Sequence, residues 1–308
     1  MPKELLACRR LPFLVAGMIR AGCADLAQGD CMVNAGKLAE CVSVLVLCKD
    51  NPEQLHDTLL SVLQGAQGLE DPLEVLVVDG STSTDCADLC QRWMQGDHPW
   101  CLHHHRQRSQ GIYAALNEGI DAAQGELLAC MNSGDAYLPG GLTALVGHWK
   151  RASQQRLRRV PAVFGQACVE AAHGLSWLSP APTMRNLDRW LHWMVPCHQA
   201  LLFDMPFARQ HPYPLNSLVA DRVVMRAALI PASPELYLPQ PVCCFRLDGV
   251  SSRWPTWRQL MQYLQDPHRR WIDRIAEVLK WLLRPVTGLQ PWLMLAKSWI
   301  WGLCCSCS

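Results

Sequence analysis

The run Val42 to Cys48 (VSVLVLC) is almost wholly aliphatic, which is how a strand covered on both faces of a parallel sheet reads. Asn51 and Pro52 interrupt it, and Leu55, Leu59, Leu60 and Leu63 then recur at helical spacing, with Pro52 suited to a first helical turn. A second buried strand follows at Leu73 to Val78 (LEVLVV). Parallel strands need a crossover, so strand, helix and strand in this order constitute a βαβ unit and place the chain in the α/β class.

The pattern continues with a helix over Asp85 to Met94, a strand over Trp100 to His104, a helix over Ile112 to Ala123 closed by Gly125, and a short strand over Leu127 to Met131. Two of these strands run directly into small polar segments. Leu73 to Val78 leads into Asp79-Gly80-Ser81-Thr82-Ser83-Thr84-Asp85, and Leu127 to Met131 into Asn132-Ser133-Gly134-Asp135. Open α/β sheets bind ligands at the carboxyl ends of their strands, so both segments fall where a site is expected. Beyond residue 140 the pattern loosens, with strands expected near Val160 to Val169 and Ala200 to Phe203 between Pro- and Trp-containing loops.

Composition narrows the function classes. A chain of 308 residues with 50% hydrophobic content can bury one main core and carry an appendage. Its formal net charge of +1 supplies no global field to gather a polyanion, so nucleic acid is not an expected partner. Sixteen cysteines, with Cys304, Cys305 and Cys307 far from any histidine, read as buried thiols rather than staples or a zinc site. No Walker-type lysine loop and no G-x-G-x-x-G occurs, which counts against an NTPase or a nicotinamide enzyme.

The two ends differ from the middle. Arg9, Arg10 and Leu11 to Ile19 imitate a signal peptide, but Arg20 follows at once and no small-residue cleavage site is evident, so residues 1–40 are read as a variable leader. No run of eighteen uncharged apolar residues is present, and a cytoplasmic location is expected. From Trp254 onward the chain holds seven of its thirteen tryptophans. Asp266 and Pro267 are expected to cap a helix in which Trp271, Ile272, Ile275, Leu279, Leu282 and Leu283 form one stripe, with Arg269, Arg270, Arg274, Lys280 and Arg284 on the remainder. Such a basic amphipathic helix either docks on an anionic membrane, at the inner face of the cell membrane, or covers the core as a flap.

Individual acids are ambiguous when taken singly. Asp79 could accept hydrogen bonds from a base or ribose, or could be a turn residue capping the next helix. Asp135, beside the small Ser133 and Gly134, offers a hard oxygen ligand suited to Mg²⁺ or Mn²⁺, or is a turn residue. Asp221, ahead of a helical stretch Arg222 to Leu229, is a helix cap or a base. His198 and Gln199 are either structural or in contact with an acceptor or a diphosphate. His103, His104 and His105 look like a metal run, yet consecutive strand residues face opposite ways, so a polar strand end is expected instead.

Read together, GIYAALNEGIDAAQGELLACMNSGD (Gly111 to Asp135), VLVVDGST, PCHQALLF, LVADRVVMR and FRLDGVS resemble, in order, the blocks of the family 2 glycosyltransferases, especially the exopolysaccharide and lipid-linked oligosaccharide branch. The resemblance covers residues 41–252. It implies a GT-A fold, a Rossmann-like mixed sheet flanked by helices, with residues 253–308 as a helical appendage. The implied activity is hexosyltransferase-like, with inversion, from a nucleotide-sugar donor to a saccharide or lipid-linked saccharide acceptor. The same resemblance implies donor binding at Asp79, Gly111 and Asn117, a Mg²⁺ or Mn²⁺ ion at Asp135, acceptor-side contacts at His198 and Gln199, and a catalytic base at Asp221. Three departures stand out. Only one carboxylate remains of the DxD element, Arg106 to Gln110 lacks the acid that often precedes Gly-Ile-Tyr, and Arg222 stands where an aromatic residue commonly follows the base. A non-catalytic nucleotide-sugar binder and a nucleotidyltransferase are the rival readings; Cys48-Lys49-Asp50-Asn51-Pro52 is not the Gly-rich loop the second would need.

Overall fold

The computed structural model describes residues 41–282 except 97, 172–174, 182–185, 248–255 and 270. The leader over residues 1–40, the tail beyond 282 and the end of the FRLDGVS block therefore lie outside the described residues.

The expected βαβ start is present: β1 (Val42–Cys48), α1 (Pro52–Gly65) and β2 (Leu73–Asp79), followed by α2 (Asp85–Met94), β3 (Cys101–Arg106), α3 (Ile112–Ala122) and β4 (Leu127–Asn132). Asn51 caps α1 by accepting from the Gln54 backbone N–H, and Pro52 takes the first turn, where no N–H is needed. β1 pairs in parallel with both β2 and β4, and β2 with β3. Every residue of β1 and β2 is buried, the polar Ser43, Glu74 and Asp79 included, as strands covered on both faces require. α3 lies so close on this sheet that a Cβ added to Gly119 would come within 2.9 Å of the Leu45 side chain and 3.0 Å of Val78, which is why a helix interior carries glycine there.

The second half completes one mixed sheet. After β5 (Ala136–Tyr137) and α4 (Gly141–Arg156) come β6 (Ala162–Glu170), β7 (Ser176–Ser179), α5 (Leu187–Trp193), β8 (Leu201–Asp204), α6 (Met205–Gln210), α7 (Ala220–Leu229) and β9 (Tyr237–Arg246). The strand order among the described residues is β3-β2-β1-β4-β8-β6-β9-β5, with β7 on β6. β8 runs antiparallel to β4 and β6, and β6 runs parallel to β9. The sequence pattern left out α4, β7, β9 and the two short helices α5 and α6. Of these, β7 and β9 hold polar residues or prolines in place of clean alternation, whereas α4 does carry a helical stripe, Leu142, Leu145, Val146 and Trp149, behind an opening glycine.

The appendage begins with α8 (Trp257–Gln265), opened by a capping box between Thr256 and Gln259, and continues in α9 (Trp271–Leu282). Asp266 does not cap α9. It is buried between the two helices, where its Oδ2 accepts from the Ser217 hydroxyl at 2.7 Å and the Leu218 N–H at 3.0 Å, joining the appendage to the loop that enters α7. Arg269 likewise departs from the expected exposed basic face, because it is buried at 7% exposure. Trp271, Ile275, Leu279 and Leu282 are exposed along α9, so the apolar stripe faces outward. No helix among the described residues is long and apolar enough to cross a membrane.

Candidate active site

Because β1, β2 and β4 are parallel neighbours, the loops after β2 and β4 leave the same edge of the sheet on either side of β1, with Cys48 opposite Asp79 and Leu47 opposite Asn132. The β2 loop is held from within. Asp79 is fully buried, and its Oδ1 accepts from the Ser81 N–H at 2.8 Å while His104 Nε2 and Arg106 Nη1 reach its Oδ2 at 3.1 Å each. Burial pushes its carboxyl pKa up, but the Ser81, His104 and Arg106 contacts together outweigh burial and leave it below the usual carboxylate value. Asp79 does not cap α2; it shapes the turn that precedes it.

Asp50 ties the β1 loop to this turn, accepting from the Thr82 N–H at 2.6 Å and its hydroxyl at 2.9 Å. The Thr82 N–H is the main reason that the Asp50 carboxyl titrates low. The three histidines of β3 diverge, as alternation demands: His104 meets Asp79, whereas His105 meets Glu118 at 3.1 Å. Glu118 also accepts from the Arg108 N–H at 2.9 Å and the Ser109 N–H at 2.7 Å, fixing the segment that leads to Gly111. Burial opposes ionisation there, yet these bonds bring the Glu118 pKa down to about 2.

The β4 loop is a tight turn pinned to α1. Gly134 has φ of +99°, which a side chain would strain, and its N–H donates to the Thr58 hydroxyl at 3.0 Å, while that hydroxyl donates to the Asp135 carbonyl at 2.8 Å. Asp135 is 5% exposed. Its Oδ2 accepts from Gln199 Nε2 at 2.7 Å and from Asn132 Nδ2 at 3.3 Å, and its Oδ1 accepts from the Arg246 N–H at 3.1 Å. As the one carboxylate of this turn, Asp135 offers hard oxygen ligands beside these N–H donors. That donor set fits the pattern in which a divalent ion is held by a single carboxylate, several waters and the phosphates of its ligand, rather than by a cage of acids.

His198 adjoins Gln199 and turns to Tyr213, whose hydroxyl lies 2.7 Å from His198 Nε2. Burial pulls the His198 pKa below the ordinary imidazole value, with Asp221 acting the other way. Asn117 does not face outward. Its amide donates to the Tyr213 carbonyl and accepts from the Tyr213 N–H, both at 2.9 Å, which clamps the Tyr213 backbone as a strand partner would. The Tyr213 ring stacks on Tyr113, 6.0 Å between centroids and 7° from parallel. The Tyr113 hydroxyl donates to Asp221 Oδ1 at 2.9 Å. Burial first, and the adjacent Asp221 second, push the Tyr113 phenol pKa well up, so it remains a proton donor to that carboxylate. Asp221 lies inside the first turn of α7, whose N-cap is Val219, and so is not the cap.

A series of contacts therefore runs from Asp135 to Gln199, on to its chain neighbour His198, and through the stacked Tyr213 and Tyr113 to Asp221, while Asp79 stands apart across β1 in a bonded cluster of its own. Tyr113 and Tyr213 are the members that motif reading passed over. Tyr113 precedes Asn117 by four residues on α3, a spacing that puts both on one helix face and was the available signal; Tyr213 sits in a loop with no such periodicity.

The profile of Glycosyl transferase family 2 matches residues 43–206, which include Asp79, Asp135, His198 and Gln199 and stop before Asp221. A sequence comparison with curated proteins gives no match. Among solved structures, S. aureus TarS 1-349 in complex with UDP-GlcNAc superposes with a TM-score of 0.51 at 15% identity, over 80% of this chain and 74% of that one. The same fragment in complex with UDP gives 0.50 at 14% identity, over 80% and 74%. The chain spans 44% of the longer S. aureus TarS structure, at 13% identity, a TM-score of 0.48 and 80% of this chain. At such identities the likeness is one of fold, and the mixed sheet flanked by helices matches the GT-A fold of these neighbours.

Proposed function

Because the chain belongs to glycosyl transferase family 2, we propose that it is an inverting glycosyltransferase that moves a sugar from a nucleotide-sugar donor to a hydroxyl acceptor in polysaccharide or glycolipid synthesis. The observation that supports this reading is the series of contacts between Asp135 and Asp221: Gln199 bonded to Asp135, its chain neighbour His198 bonded to Tyr213, and Tyr213 stacked on the Tyr113 that holds Asp221.

In the proposed reaction, the Asp221 carboxylate takes the proton of the acceptor hydroxyl as that oxygen attacks the anomeric carbon. The bond from the anomeric carbon to the donor phosphate oxygen breaks on the opposite face, releasing the nucleoside diphosphate and inverting the configuration. Tyr113 holds Asp221 Oδ1 and leaves Oδ2 to receive the proton. Asp135 would hold a Mg²⁺ or Mn²⁺ ion, whose charge, when bound, offsets that of the departing diphosphate. Asp79 and Gly111 serve the donor side through the backbone they shape, whereas Asn117, by clamping Tyr213, supports the acceptor side together with His198 and Gln199. The coupling of a UDP-sugar complex to the same fold in TarS supports starting with that donor class.

A thermal-shift screen of nucleotide sugars with and without Mn²⁺ tests the reading. One donor is expected to raise the melting temperature in a Mn²⁺-dependent way and then to be turned over with release of nucleoside diphosphate. Ligand stabilisation without any turnover would favour the non-catalytic binder instead.

We further propose that residues 254–308 dock on an anionic membrane carrying a lipid-linked acceptor. Trp257 on α8 and Trp271, Ile275 and Leu279 on α9 are exposed, and apolar side chains of this kind beside Arg and Lys favour an anionic interface. The full chain is expected to float with liposomes containing anionic lipid. The triple change Trp271→Ser, Ile275→Ser and Leu279→Ser should leave it at the bottom of the gradient; equal flotation of both proteins would remove the proposal.

A further inference from the structure

α7 carries Asp221 in its first turn, yet its N-cap, Val219, has no side-chain oxygen to accept from the N–H groups there. What fixes the entry to this helix comes from outside it. Asp266, at the end of α8, is 3% exposed. Its Oδ2 accepts from the Ser217 hydroxyl at 2.7 Å and the Leu218 N–H at 3.0 Å, and its Oδ1 from the His268 N–H at 2.9 Å. The Ser217 hydroxyl passes the tether on, accepting from the Val219 N–H at 3.1 Å. The Leu218 carbonyl meets the Tyr113 hydroxyl at 3.2 Å, and that same hydroxyl donates to Asp221 Oδ1 at 2.9 Å. Leu218 is therefore held on both sides, its N–H by the appendage and its C=O by the phenol that orients Asp221.

Ser217 is as deeply buried as Asp266, and a buried donor left without an acceptor is costly. Without the Asp266 carboxylate the loop would have to open towards water, and Leu218 would draw Tyr113 and the first turn of α7 with it. Tyr263, three residues before Asp266, also borders this region. Burial first, with Glu277 and Asp221 adding to it against Arg269 and Arg222, raises the Tyr263 phenol pKa, so the end of α8 lies within electrostatic reach of Asp221. A base acts only within hydrogen-bond reach of the proton it takes, and a displacement of about 1 Å set off far from the chemistry can cost about 10²-fold in rate.

We infer that Asp266 is a positioning residue for Asp221: through Ser217 and Leu218, the appendage supplies the hold that α7 lacks at its own N-terminus. The inference rests on the reading of Asp221 as the base. It gives α8 a part in the acceptor half of the site, separate from any docking through the exposed face of α9.

A double-mutant cycle on the full chain, run with the nucleotide sugar selected by the thermal-shift screen, tests this. Asp266→Ala is expected to lower kcat by about 10- to 100-fold, with the KM for the donor within about twofold of the wild type. In the Asp221→Asn background the same change should cost less than about threefold, because the base it positions is already gone. Ser217→Ala removes only the hydroxyl between Asp266 and Val219; it should lower kcat by about threefold, and it stands in for Asp266→Ala if that variant does not fold. Hydrogen exchange gives a reading independent of turnover. The Val219 amide is expected to exchange at least about tenfold faster in both variants, and the Leu218 amide in Asp266→Ala. A wild type that transfers no sugar would remove the base assignment of Asp221, and exchange alone would then read the hold of Asp266 on α7. An unchanged kcat, an equal loss with and without the Asp221 carboxylate, or unchanged exchange at Val219 would overturn the inference.

Discussion

Replacing Asp221 by asparagine is expected to lower kcat for sugar transfer by about 10²- to 10⁴-fold, the range for loss of a general base, while donor binding measured calorimetrically stays near the wild-type level. Asparagine keeps the size of the side chain and an oxygen for the Tyr113 hydroxyl, now 2.9 Å from Asp221 Oδ1, so α7 should keep its place. What disappears is the basic lone pair. Tyr113→Phe provides the internal comparison, because it removes only the bond that orients the carboxylate, and a loss of about tenfold in kcat is expected, the equivalent of one hydrogen bond. If Asp221→Asn turns over as fast as the wild type, Asp221 is not the base, and the proton must go elsewhere.

The sheet that positions these residues was legible because parallel strands buried on both faces leave mostly aliphatic runs, broken here only by Ser43 in β1 and by Glu74 and the terminal Asp79 in β2. Val42 to Cys48 and Asp85 to Met94 have the bounds that the pattern predicts. The antiparallel half was less readable. α4 pairs buried Leu142, Leu145, Val146 and Trp149 with Gly141 and a polar remainder, and a glycine at the start of a helix reads as a loop. Within the site, Asp135, His198, Gln199 and Asp221 were nameable because motif blocks carry them, but their connections were not. Tyr213 reaches His198 only because Asn117 clamps the backbone of a loop 96 residues away, and no local pattern encodes so distant a bond. Asp79 shows the converse. Its position at a strand end was foreseen, yet the partners that bury it, His104 and Arg106, come from the neighbouring strand and became visible only with the register of β2 against β3. Arg269 belongs to the same class, since helical periodicity assigned it to the solvent face while the Asp266 junction folds it inward.

The second large effect concerns Asp135. Changing it to alanine removes the one carboxylate of the Asn132 to Asp135 turn and should weaken Mn²⁺-dependent donor binding by about 100-fold, or ~2.7 kcal/mol, with little change in whatever donor affinity remains in EDTA. The comparison between the two conditions matters because Asp135 is also structural: its oxygens receive Gln199, Asn132 and the Arg246 N–H. Leaving those donors unpaired costs stability whether or not an ion binds. A purely structural Asp135 would therefore lower the melting temperature and weaken binding equally with and without Mn²⁺. An ion ligand loses the Mn²⁺-dependent increment specifically, and Asp135→Asn separates the two further, because asparagine can still accept through its oxygen while no longer offering a charge to a hard cation. If the increment produced by Mn²⁺ survives in both variants, the ion is held by the diphosphate without Asp135, and the reduced motif has passed its metal duty entirely to the donor.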